Sequence, residues 1–490
     1  MVGALLVLLW LSVCVLLFLL LGGRPKNFPP GPPPLPLLGN LLQLHPTNPL
    51  KDLDKLAQRY GPVFSIYIGG RLAVVLNGQQ ALREALVSQA VELTGRPDDI
   101  MISHMTEGKG VILADAGPSW KAHRRFALST LRNFGLGKRS MEDRILEELT
   151  HVCALLEKSA GGWMDPQHLF HRAASNIICS VIFGSRFHYE DHYFQTLITM
   201  IEDINKLAIG PWAMLYDIAP VLRVLPLPFR RVFQNYQLLR EHMQKVIRQH
   251  QLSTHTHPPR DMVDCYLQEI HKRAGDGSSF DDSHLESLLI DLFIAGTDTT
   301  SNTLRCACLY LMTHTHIQER CHQEIDSVLG SRECVSFEDR HSMPYVQAVL
   351  HESQRVADVV PLSVFHTTTA HTHIHGYAIP KGTMVIPNLS SALREEGQWR
   401  FPHEFNPHNF LNERGEFVKP DAFLPFSAGS RVCLGEVLAR MELFLILVTM
   451  LRRFRLVWPE DAGMPDYQPL FGATQSPKPY RMGIQLREHT

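Results

Sequence analysis

Between about residues 115 and 329, apolar positions recur at mostly helical spacing with polar residues between them, so the middle of the chain predicts mainly α structure. Ahead of it, two β-rich runs at 63–68 and 72–76 flank Gly69 and Gly70 and predict a hairpin. Proline-bearing breaks fall near Pro211, Pro220, Pro226, Pro228, Pro258 and Pro259. The polar run 253–257 predicts a surface loop, with helix resuming from Arg260. The longest helix is expected to start near Ser283, where Ser283 and Glu286 have the spacing of a capping box. It continues through Leu288, Leu289, Leu292 and Phe293 to about Thr313. Short strands are expected near 376–380 and near both ends. The pattern contains no internal repeat.

Two segments at the amino end depart from this pattern. Residues 2–23 carry no charged side chain and are dominated by Leu, Val and Phe, enough to cross a bilayer as a helix. A cleaved signal peptide fits less well, because the stretch is too long and lacks a basic leading region. Arg24 and Lys26 follow the span, and the positive-inside rule then keeps the downstream chain cytosolic. Residues 24–40 hold a run of prolines that favours an extended polyproline II connector. Residues 41–490 form the remaining body.

Bulk composition narrows the classes. The chain has 490 residues, 45% hydrophobic and 20% charged, with a formal net charge of −2, so nothing global favours nucleic acid as a partner. Nine scattered cysteines without a C-x-x-C pair fit a reducing compartment and argue against a disulfide framework. Cys306 and Cys308 would point to different faces of a helix, as packing residues. His371, His373 and His375 alternate and could share one strand face; an exposed edge is expected there rather than a metal site.

The most specific chemistry lies at 426–435, where Phe426, Gly429, Arg431, Cys433 and Gly435 precede an apolar helix-forming run. Cys433 between two glycines could give one thiolate to a haem iron, the ligand that favours O–O cleavage. Gly429 and Gly435 would let the backbone approach a flat macrocycle, and Arg431 could meet a propionate. The run is complete at every fixed position of Phe-x-x-Gly-x-Arg-x-Cys-x-Gly and resembles the cysteine loop of the cytochrome P450 family. With the apolar amino end, the proline run and the segment 131–140, the chain is similar from end to end to the microsomal family 2 enzymes of vertebrates.

That resemblance implies a mainly α fold with small β-sheets, the cytochrome P450 fold, carrying a single N-terminal transmembrane helix (2–23), a proline-rich hinge (24–40) and a haem-thiolate catalytic domain (41–490). It implies haem b (iron protoporphyrin IX) with Cys433 as axial thiolate, and Arg96, Trp120, Arg124, His366 and Arg431 around the propionates. Asp298 and Thr299 become the acid–alcohol pair for proton delivery. Taken alone, Thr299 would instead be a kink residue bonded to a carbonyl one turn back. Glu352 and Arg355 stand three apart on one helical face and become a structural lock for the cysteine loop. Asn409 occupies the lock's usual basic position and brings no charge. Phe293, Ala295, Val360, Val364 and Phe471 become pocket walls, together with the loop 100–111. Phe365 stands where many relatives have proline.

The implied activity is an unspecific monooxygenase that inserts one atom of O2 into lipophilic substrates such as fatty acids, steroids or xenobiotics. The implied partners are NADPH-cytochrome P450 reductase, cytochrome b5 and membrane lipid, with the catalytic domain on the cytosolic side of the endoplasmic reticulum. A basic group of Lys121, Arg124, Arg125, Arg132, Lys138 and Arg139 would steer the reductase. Two rivals remain at this point. One is a reductase-independent haem-thiolate isomerase or dehydratase of lipid peroxides; the other is a non-catalytic haem-binding paralogue.

Overall fold

The computed structural model describes residues 23–253, 259–332 and 334–487. Helices dominate. Those that build the site are α1 (Pro118–Asn133), α2 (Pro166–Ile182), α3 (Asp282–Thr313), α4 (Pro344–Ala357) and α5 (Glu436–Arg453). Proline opens α1, α2 and α4, where its missing N–H costs nothing and its fixed φ already suits a helix. Two of the prolines read as breaks act the same way: Pro211 begins a helix and Pro220 a 3-10 turn.

The predicted hairpin forms as β1 (Val63–Ile68) and β2 (Arg71–Leu76), in register from Val63 opposite Leu76 to Ile68 opposite Arg71. Its sheet is completed by β3 (His366–Thr367) and β4 (Met384–Pro387), in the order β1-β2-β4-β3. β2 and β4 run parallel, whereas β3 pairs antiparallel with β4 through His366 and Val385. A three-stranded sheet and a two-stranded hairpin, Thr372–Ile374 with Tyr377–Ile379, make up the rest. His371, His373 and His375 are exposed along that hairpin, while Thr372 and Ile374 between them are buried.

The central helix α3 is buried on nearly all sides, packed among α2, α4 and α5. Its start corrects one expectation. Asp281, not Ser283, is the N-cap, and its carboxylate accepts the His284 N–H at 2.8 Å. Ser283 lies inside the first turn, where its hydroxyl accepts from Lys109 at 2.8 Å. An anionic cap is also favoured by the positive end of the helix dipole.

The proline-rich segment is stitched to the body rather than standing off it. The Ser65 N–H donates to the Pro30 carbonyl and the Ser65 hydroxyl to that of Pro29, both at 2.7 Å. Gly31 permits this approach, since a Cβ there would lie 1.9 Å from the Ser65 carbonyl oxygen. Among the described residues no helix is long and apolar enough to cross a membrane. The expected span at 2–23 lies outside the described residues except for Gly23, and the expected loop 253–257 does so except for Ser253, which ends a helix.

Candidate functional site

A cavity of about 410 Å³ lies between α3 and the loop that carries Cys433. The loop turns tightly. The Cys433 N–H donates to the Phe426 carbonyl at 3.0 Å, and that of Val432 to Gly429 at 3.1 Å. Gly429 has φ +74°, and a Cβ there would lie 1.7 Å from the Leu86 carbonyl oxygen. Close approach to the Leu86 carbonyl by itself demands this glycine. Gly435 caps α5 on the cavity wall, where a Cβ would meet nothing within 4 Å. Cys433 is exposed only towards the cavity. Burial raises its thiol pKa, while the N–H groups of Gly435 and Glu436 and the charge of Arg124 pull it back.

Beside the cysteine the fold gathers Arg96, Arg124 and Arg431 on one part of the cavity wall. Arg96 is 7% exposed and donates to the carbonyls of Ile112, Val364 and Phe365 at 2.8–3.0 Å. Arg431 is 8% exposed and donates to Thr94, Val111 and Ala114, with its guanidinium 3.8 Å from the Trp120 ring centre. Arg124 donates to the Val432 carbonyl. Among the described residues none of the three forms an ion pair with a carboxylate. Burial, then the charges of Arg431 and Arg124, hold the Arg96 pKa well below its usual value, with Asp115 the opposing influence. Burial lowers Arg431 to about 10. Trp120 and His366 stand next to this group but off the cavity wall. The Trp120 N–H is taken by the Val111 carbonyl at 3.1 Å, and His366 Nδ1 donates to Leu93. Burial, then the charge of Arg96, keeps that imidazole neutral.

On α3, Thr299 faces the cavity and Asp298 does not. The Thr299 hydroxyl donates to the Ala295 carbonyl at 2.7 Å, which turns its remaining lone pairs outward. The buried Asp298 carboxylate lies 3.2 Å from His171 Nε2 on α2 and accepts from the Thr474 hydroxyl. Burial raises its pKa, but His171 and Thr474 outweigh it and the net direction is down.

Behind the loop, Arg355 and Glu352 form a bidentate pair with both contacts at 2.7 Å. Arg355 also donates to the carbonyls of Leu393, Phe401, Pro402 and Glu404. Asn409 donates to both Glu352 oxygens at 3.1 and 3.3 Å, and its own carbonyl accepts from Phe401.

The family model described as cytochrome P450 matches residues 29–484. The chain belongs to the cytochrome P450 family. It is 43% identical over 469 residues to cytochrome P450 2F2 of Mus musculus, covering 94% of each chain. To cytochrome P450 2F1 of Homo sapiens it is 43% identical over 490 residues, covering 98% of this chain and 99% of the relative. Cytochrome P450 2B4 of Oryctolagus cuniculus is 42% identical over 464 residues. The protein is thus a P450 monooxygenase of the vertebrate family 2 type, a class that holds haem b through a cysteine thiolate, draws electrons from a redox partner and acts on lipophilic molecules.

The residues present fit that cofactor. Three arginines meet one nearby carboxylate, an imbalance that the two propionates of haem b would correct. The expected pocket walls divide in the P450 cavity. Ala295, Val360 and Val364 line it, but Phe293 and Phe471 do not. Phe293 is fully buried, with its ring centre 6.4 Å from that of Phe183. Phe471 packs against the core beside β4, and the bend that follows brings Ala473 and Thr474 to the cavity instead.

Three residues of this P450 escaped sequence reasoning. Asp291 accepts the Val111 and Ile112 N–H groups at 2.6 and 3.0 Å, pinning the loop that walls the cavity. His171 approaches Asp298 across 127 positions, which no local spacing reveals. Glu442 is buried on the wall with one oxygen lacking a partner, and burial pushes its pKa up to about 8. A lone carboxylate inside the apolar run 441–448 was the available signal.

Proposed function

We propose that this P450 is a single-pass protein of the endoplasmic reticulum membrane, anchored by residues 2–23, with residues 41–490 working on the cytosolic side. It takes NADPH-derived electrons from cytochrome P450 reductase, with cytochrome b5 as a further donor, and oxygenates fatty acids, steroids or xenobiotics. The observation that carries this reading is the uncompensated arginine group set beside Cys433 in one cavity. Haem b, when bound, supplies oxygen activation at iron. Cys433 would supply the sulfur that holds the iron, softened by the N–H groups of Gly435 and Glu436. Arg96, Arg124 and Arg431 would hold the propionates, with the Trp120 ring packed on Arg431 and the neutral His366 close to Arg96. Thr299 offers a hydroxyl oxygen to the reaction side, and Asp298 keeps a carboxylate one residue behind it, within reach of His171 and Thr474.

Membrane contact is supported by two exposed apolar segments that meet at the β1–β2 turn. Leu37 and Leu42 stand out on one, Val221 and Val224 on the other. A Cβ at Gly69 would touch Ile218 of the second and lie 3.5 Å from the Leu37 carbonyl oxygen. For the reductase, Lys121, Arg125, Arg132, Lys138 and Arg139 are exposed, and among the described residues none forms an ion pair. Arg124 belongs to the interior instead. The decisive test is the absorption of the reduced, carbon-monoxide-bound holoprotein. It should be that of thiolate-ligated haem, and Cys433→His should convert it to the histidine-ligated form and abolish NADPH-dependent product formation. A histidine-type spectrum in the unaltered protein would sink the reading.

A further inference from the structure

Phe365 stands between two cavities. The first is the site just described. The second, of about 460 Å³, lies between the β1–β2 hairpin and the helix Pro211–Ile218. Its walls are mostly apolar, among them Ile68, Ile100, Met214 and Met384, with Arg71 and Asp217 as its charged residues. Phe365, Ala208 and Ile209 line both cavities. Ala208 and Ile209 follow the helix His192–Leu207 on one side, and Phe365 comes from the loop after α4 on the other.

The main chain at Phe365 is held in place. Arg96 donates to the carbonyls of Val364 and Phe365 at 3.0 and 2.8 Å. The next residue, His366, is locked into β3 opposite Val385. Because the backbone is fixed on both sides, the ring itself separates the two spaces. It packs against the core cluster that holds Ile100, Leu362 and Met384, so it is part of a wall and not a loose side chain. The first cavity must also house the macrocycle against Cys433, which leaves substrate only the remainder. The second offers further apolar burial to any chain that can reach it.

We propose that Phe365, with Ile209 opposite, is a partition that sets the maximal substrate length. Compact lipophilic molecules fit on the Cys433 side, while longer chains are excluded from the second cavity. This rests on the haem-thiolate reading above. The partition is tested by titrating the holoprotein with n-alkylimidazoles from butyl to dodecyl, whose heads bind the haem iron and report Kd through its absorption. In the unaltered protein Kd should fall with each methylene and then stop falling at a definite length. Phe365→Ala should move that break to longer chains, each further methylene tightening binding by up to about fourfold. Ile209→Ala, which leaves the Arg96-bound loop untouched, should do the same. Adding Ala213→Phe, which fills the second cavity alone, to Phe365→Ala should return the break to its original length. An unmoved break in both opening variants overturns the partition, as does an unaltered protein that keeps tightening through dodecyl. An unaltered holoprotein without a thiolate-haem spectrum removes instead the reading beneath it.

Discussion

Arg355 and Arg431 are both almost sealed from water, at 1% and 8% exposure, yet only Arg355 has a carboxylate in its grip. Around Arg355 the chain supplies everything: Glu352 for the charge, four carbonyls for the other donors, and Asn409 for the remaining lone pairs of Glu352. Around Arg431 the carbonyls are present, but the charges are not balanced. Arg96 and Arg124 add to the excess, and Asp115 is the one carboxylate that opposes it. The first site is finished by folding. The second is finished by whatever brings negative charge into the cavity, so buried charge left unbalanced is itself a mark of a ligand site.

The comparison breaks most visibly at the finished site. Arg355→Met leaves Glu352 buried without its partner, and the chain should lose about 3–5 kcal/mol of stability. Denaturant unfolding should show it, with haem content falling in step because the protein no longer holds its fold. A variant of ordinary stability would mean that the lock is dispensable.

Glu442 gives the opposite sign, a buried carboxylate without a cation. Its pKa of about 8, raised by burial, means that the native state keeps a proton that the unfolded chain releases near its ordinary value of 4.5. The stability this gives is complete below about pH 4.5 and is lost as pH rises to about 8. Glu442→Gln should therefore flatten the pH dependence of the melting temperature across that window, by up to about 1.4 kcal/mol per pH unit. An unchanged slope would assign the pH dependence elsewhere.

At the unfinished site the expected loss is confined to the cofactor. Arg124→Gln should weaken haem retention by roughly 10–100-fold, measured by transfer to apomyoglobin, while the apoprotein melts where it did before. An equal drop in apoprotein stability would make Arg124 a second lock instead. The smallest effect belongs to the exposed cations. Lys138→Glu with Arg139→Glu should raise the reductase concentration needed for half-maximal turnover several-fold at low salt, fading as salt screens the surface. No change at low salt would move the docking site to another face.

The two arginine sites also differ in how far they could be read from the residues. Glu352 and Arg355 are three apart on one helix, so their pairing was legible. Cys433 and its loop were legible because five identities at fixed spacing share ten positions. The hairpin at Gly69 was legible from β-rich runs alone. What escaped depends on distant segments meeting. Asp298 finds His171 on another helix, Arg96 reaches the loop at Val364, and Phe293 is taken up by the core beside Phe183, a contact that its own periodicity does not reveal. At Gly429 the close approach to the Leu86 carbonyl, more than three hundred positions earlier, was likewise hidden.

The stitched proline segment shortens the leash of this molecule. Arg24 is itself tied down, its guanidinium bonded at 2.7 Å to both the Ser65 hydroxyl and the Pro32 carbonyl. Were residues 2–23 the anchor proposed above, its slack from the body would be close to nil, although the sixteen or so residues of the hinge could otherwise reach about 50 Å. With such an anchor held in a bilayer, the body would not tumble freely. It would present its basic face at a nearly constant angle, and a partner moving in the same membrane would search for it by translation with little need to reorient.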